Sequence, residues 1–113
     1  MTTIHMNWAD LTLKAEGHAG QAEKGQDIVC AGISALTQAL ALRLVEDEKR
    51  GRLKLDLTID SESGSLRARA EPRSGREEQT RAYYKVIMAG LKAIERQYPE
   101  YVKIGEVNVH GNL

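Results

Sequence analysis

The sequence predicts an α+β domain of order ββαββαβ, with two helices packed on an antiparallel or mixed sheet. Three observations lead there. Apolar residues alternate with polar ones in two separate pairs of short segments. Two longer stretches repeat their apolar residues at helical spacing. Turn-forming residues fall between the segments rather than inside them. At 113 residues the chain is long enough for one core, so residues 1–113 are read as a single domain.

Ile4, Met6 and Trp8 alternate with polar neighbours, and Leu11, Leu13 and Ala15 repeat the pattern after Ala9-Asp10. That is a first hairpin. A glycine-containing loop, Gly17 to Gln26, follows. Asp27 is placed as an N-cap, its side-chain oxygen accepting from a free amide of the first turn. Val29, Ile33, Leu36, Leu40 and Leu44 then share one helix face. Ala31, Ala35, Leu42 and Val45 lie across from them, so this helix is expected to be covered on two sides. Gly51 is its expected stop.

Leu53, Leu55, Leu57 and Ile59 alternate, as do Leu66, Ala68 and Ala70, with "SESGS" between them: a second hairpin. Ser74 and Glu77 have the spacing of a capping box. They open a second helix whose apolar side is Tyr84, Ile87, Leu91, Ile94 and Tyr98, closed by Pro99. Val107 and Val109 supply the last strand.

Charge and composition exclude several functions. Sixteen basic residues balance sixteen acidic ones, which argues against a nucleic-acid partner. The basic stretch "RARAEPRSGR" lacks the interleaved aromatics of a single-strand binder. No apolar run approaches the ~20 residues of a membrane span, and "MTTIHMNW" does not resemble a signal peptide, so a cytoplasmic location and no membrane partner are expected. His5 and His110 are expected at the surface, and no His, Cys, Asp or Glu spacing fits a metal site. There is no phosphate-binding loop, dinucleotide fingerprint or serine-hydrolase elbow.

The chemistry is concentrated in "GHAGQAEKGQDIVC", which holds His18 and the only cysteine, Cys30. Counted from Asp27, Cys30 is the third helical residue. The unpartnered amides of a first turn favour a thiolate over a thiol and can stabilise an oxyanion. An imidazole beside the sulfur would take its proton and return it to a leaving amine. On composition alone a lone cysteine is more often a buried, inert residue beside a histidine that merely ends a strand.

The stretch "GHAGQAEKGQDIVCAGISALTQAL" strongly resembles the ribosomal-processing cysteine proteases, the Prp or YsxB-like family. The family pattern is a Gly-His-Ala, a glycine-containing loop, then Asp-Ile-Val-Cys-Ala and a serine. It stands here as Gly17-His18-Ala19, Asp27-Ile28-Val29-Cys30-Ala31 and Ser34. The resemblance implies a Cys-His endopeptidase with Cys30 as nucleophile and His18 as base, without metal or organic cofactor. It implies as substrate the N-terminal extension of a bacterial large-subunit ribosomal protein, number twenty-seven, cut after an aromatic-rich segment and before a small residue. It also implies a homodimer. Gln21 departs from the family, in which many members carry an aromatic residue there; this bears on substrate preference rather than on chemistry.

Three supporting roles complete the reading. Asp27 caps the helix or orients His18 as a triad acid; capping demands no special geometry and is preferred. Ser34, one turn after Cys30, either supports the sulfur or bonds back to the Cys30 carbonyl. Gly20 and Gly25 bracket "QAEK" and, with Gln21, form either a substrate loop that closes as a lid or an ordinary solvated loop. Two rival functions remain: a phage or prophage relative that trims a capsid or assembly protein, and a ribosome-associated binding module without activity.

Overall fold

A computed structural model describes residues 1–17 and 24–110, apart from the side chains of residues 24–26. The elements are β1 (Thr2–Asn7), β2 (Thr12–Gly17), α1 (Lys24–Lys49), β3 (Leu53–Asp60), β4 (Ser65–Pro72), α2 (Glu77–Gln97) and β5 (Val102–Val107). The order is the expected ββαββαβ. The five strands form one mixed sheet, β3-β4-β2-β1-β5, in which only the β1–β5 pair is parallel.

Period-two patterning places Ile4, Met6, Leu13, Ala15, Leu53, Leu66, Ala68 and Ala70 in one core with the inward faces of both helices. From α1 come Val29, Ile33, Leu40 and Leu44; from α2 come Tyr84, Ile87, Met88 and Leu91. The Tyr84 hydroxyl, fully buried, donates to the Ala68 carbonyl at 3.0 Å. That bond satisfies the polar end of the largest core side chain and ties α2 to β4. Burial pushes the Tyr84 hydroxyl well above the usual tyrosine range.

Asp47, near the end of α1, joins that helix to the turn after it and to α2. Its side chain is 1% exposed and accepts from Arg43 at 2.8 Å, Arg52 at 3.3 Å and the Tyr83 hydroxyl at 2.7 Å. Burial pushes its carboxyl up, but the Tyr83 and Arg43 hydrogen bonds, with Arg52, outweigh burial and hold it below its ordinary value. Helical spacing in the sequence does not reveal this partner from α2.

The stop of α1 is as expected. Gly51 adopts φ 73°, its N–H donates to Glu48 O at 3.0 Å, and Arg52 N–H donates to Asp47 O at 2.9 Å. These two bonds form a Schellman cap around a left-handed glycine.

Four expectations need correction. Helix α1 begins at Lys24, so Asp27 is its fourth residue rather than its N-cap, and Gly25 lies in the first turn rather than in a loop. The capping box at Ser74 is not formed. The N-cap of α2 is Arg76, without a side-chain bond, and Glu77 instead accepts the Gly75 N–H at 2.9 Å. The last strand is Val102–Val107, while Val109 lies beyond it and exchanges bonds with the buried Asn7 side chain. Strand β3 forms as expected, and burial along it fades from Leu53 to Ile59, which is 58% exposed.

The fourth correction concerns α1 as a whole. Its segment Asp27–Lys49 is long and apolar enough to cross a membrane by length and composition. The apolar excess arises because two faces are apolar. One packs into the core through Val29, Ile33, Leu40 and Leu44, as in the core helix of a globular domain. The other is left open by the described residues: Ala31 and Ala35 are exposed, and Leu42 is 71% exposed.

Candidate active site

Val29 and Ile33 are buried on the core side of α1 and fix its rotation. Cys30, between them, is turned about 100° away and stands half-buried as a free thiol. One turn on stands Ser34, then Gln38 and Leu42, each four residues further along the same stripe. These four line a cavity of about 720 Å³ whose other wall is the tip of the β3–β4 hairpin and the ends of β1 and β2. Leu57, Ile59, Leu66, Thr2 and Gly17 belong to that second wall.

Two close backbone approaches build the wall. The Gly17 N–H donates to Gly64 O at 3.2 Å. A Cβ on Gly17 would sit 2.5 Å from Thr2 Oγ1 and 2.9 Å from Thr2 Cα, so β1 and β2 leave no room there for a side chain. Gly64 adopts φ 67°, and a Cβ on it would collide with the Gly17 carbonyl oxygen. Around Thr2, Gly17 and Gly64, therefore, the cavity wall is made of closely packed main chain.

The cavity is largely apolar along α1 and polar at the hairpin tip, where Asp60, Ser61 and Glu62 line it. Hydrogen bonds from Ser63 and from the Glu62 N–H hold the Asp60 carboxyl below its ordinary range. Among the described residues no group of three or more His, Cys, Asp or Glu side chains converges as a metal site. His5 and His110 are exposed, as expected.

The residues named from sequence divide into three groups. Cys30 and Ser34 stand together in the cavity. Asp27 is exposed, one turn before Cys30. His18, Gly20 and Gln21 lie outside the described residues; Gly17, immediately before His18, is a wall of the cavity that holds Cys30. Cys30 is the seventh residue of α1, not the third, so its sulfur lies beyond the first-turn amides invoked for it. The Ser34 hydroxyl makes no hydrogen bond among the described residues; the Ser34 carbonyl accepts from Thr37 at 3.3 Å. Sequence reasoning missed the hairpin tip altogether, since the strand pattern of "SESGS" signals a turn but not what the turn faces.

The family model of the cysteine protease Prp matches residues 1–103. The chain belongs to the Prp cysteine protease family. Its fold is shared with the essential ribosomal processing protease Prp from S. aureus in complex with a substrate peptide. The TM-score is 0.75 at 22% identity, over 94% of this chain and 99% of that one. The same S. aureus protease with a covalently linked product peptide gives 0.72 at 24% identity, with the same coverage. SMU.848 from Streptococcus mutans gives 0.70 at 22% identity, over 96% of this chain and 93% of that one. No curated protein matches the chain. At these identities the structures carry the Prp fold, and membership of the family makes the chain a cysteine protease.

Proposed function

We propose that the chain is an endopeptidase that removes the N-terminal extension of bacterial large-subunit ribosomal protein number twenty-seven, with Cys30 as nucleophile and His18 as base. One observation carries this reading: Cys30 and Gly17, the residue that precedes His18, line the same cavity. These two residues come from the two blocks of the motif and stand 13 positions apart in the chain.

The chemistry follows from the two side chains. His18 takes the thiol proton, and the Cys30 thiolate attacks the scissile carbonyl carbon. The tetrahedral intermediate collapses to a thioester as the imidazolium gives its proton to the leaving amine. Water, deprotonated by His18, then attacks the thioester and releases the acid product and the thiol. Thiol, imidazole and water suffice, so the reaction takes no metal or organic cofactor.

The same reading places the enzyme in the cytoplasm, where its thiol stays reduced and ribosomal proteins are made. It also makes the enzyme a homodimer. The outward face of α2 supports this: Ala82, Val86 and Ala89 lie exposed along it, and Val86 is 70% exposed. The deciding experiment is the mass of the ribosomal precursor after incubation with the protein. Loss of the extension, absent with Cys30→Ala, is the expected result; an unchanged precursor with the native protein overturns the reading.

A further inference from the structure

The two edges of the sheet are treated differently. Strand β5 closes one edge, and Glu95 on α2 accepts the Ile104 N–H there at 2.7 Å. Strand β3 closes the other. Arg73 N–H donates to Arg52 O at 2.9 Å, which sets the ladder register with β4. Lys54, Asp56, Thr58 and Asp60 therefore face β4 with their main-chain groups, while Leu55, Leu57 and Ile59 turn theirs outward. Glu48 on α1 accepts the Leu55 N–H at 2.6 Å. A carboxylate laid on an edge amide blocks pairing with another strand. No such partner reaches Leu57 or Ile59 among the described residues, and both line the cavity that holds Cys30.

We propose that the peptide substrate binds as an added strand along Leu57 and Ile59, antiparallel or parallel to β3, with its scissile bond at Cys30. This rests on the proteolytic reading above and deepens it. An extended chain there satisfies the outward N–H and C=O groups of the edge and continues the sheet. Its side chains alternate, so every second one turns toward the uncovered flank of α1, where Leu42 and Val45 line the same cavity. Leu42 and Val45 belong to the second apolar face of α1, which the described residues leave open. From Cys30 to Val45 the helix rises about 22 Å, a span that about six or seven extended residues would fill. Specificity then falls mainly on one side of the scissile bond, because Cys30 stands at one end of this stripe.

A second copy of the chain is a poorer occupant of the same edge. Glu48 leaves only the window from Leu57 to Ile59 open, far short of the ~800 Å² that each partner buries in a stable interface. A substrate bound transiently in a reactive cavity needs less.

The test uses a synthetic peptide spanning the extension and cut site of the ribosomal protein, added to the full-length Cys30→Ala protein, with amide hydrogen exchange read by NMR. The Leu57 and Ile59 amides should exchange at least about tenfold more slowly with peptide bound, while Asp56 and Thr58, already in the ladder, change little. Peptides carrying a single ester in place of an amide should lose affinity about fivefold where the replaced N–H pairs with Leu57 or Ile59 and hardly at all elsewhere. Binding without protection at Leu57 and Ile59, or no binding at all, overturns edge pairing. Protection that rises with protein concentration in the absence of peptide assigns the edge to a second copy and also overturns it. Cleavage of the unsubstituted peptide by the native protein is measured separately. Cleavage without edge protection rejects only the added strand, whereas edge protection without cleavage supports the docking track and rejects the protease.

Discussion

The Gly17 N–H donates to the Gly64 carbonyl at 3.2 Å, and this bond holds the β3–β4 hairpin tip against the end of β2. The contact needs a left-handed residue without a side chain at 64. Gly64→Ala should cost about 1–3 kcal/mol from the backbone conformation alone. The added methyl group would also push against Gly17 main chain, displacing the segment that leads to His18. Denaturant unfolding and peptide cleavage on the same variant check this, and cleavage should fall by more than the loss of folded protein accounts for.

Cys30→Ala and Cys30→Ser should both abolish cleavage and leave the fold intact. The side chain is half-buried at a cavity wall, so little packing is lost with the sulfur. Circular dichroism establishes the fold, and precursor mass establishes activity.

If His18 takes the thiol proton, His18→Ala should slow iodoacetamide alkylation of Cys30 at pH 7 by roughly tenfold or more. Equal alkylation rates in the two proteins would show that the side chains do not communicate.

Asp27 lies inside α1 rather than at its cap, which changes what its removal should do. Loss of an N-cap costs about 0.5–2 kcal/mol. An exposed acid in the first turns contributes only its interaction with the helix dipole, about 0.3–1 kcal/mol. Asp27→Ala and Asp27→Asn should therefore differ little from each other in stability. A folded Asp27→Asn protein with cleavage down several orders of magnitude would make Asp27 the residue that orients His18.

Asp47 sets a pH dependence of stability. Its carboxyl is held below its ordinary value when folded, so the folded protein binds fewer protons there than the unfolded chain. The contribution is complete above about pH 5 and is lost as the pH falls through the ordinary carboxylate value of ~4 toward the lower folded one. Asp47→Ala should cost about 3 kcal/mol at pH 7, because it strips a buried acceptor from Arg43, Arg52 and Tyr83. The melting temperature of the native protein should fall between pH 5 and 3 more steeply than that of the variant.

The sequence by itself determined the element order, the stop of α1 at Gly51, the core faces of both helices and the motif that carries Cys30. Each of these depends on neighbours within a turn or two, or on a period of 2 or 3.6 residues, and such local rules are written along the chain. The tertiary structure alone decided the rest. It placed the first turn of α1 at Lys24, where no side-chain signal marks a cap, and it paired β5 with β1 in parallel, a choice between strands about a hundred residues apart. It brought the hairpin tip and Gly17 to Cys30, and Tyr83 to Asp47. Two apolar faces on α1 were legible in its spacing, but spacing does not say what covers a face. Only the packed sheet shows that one face meets the core, and that Leu42 and Val45 of the other line the cavity that holds Cys30.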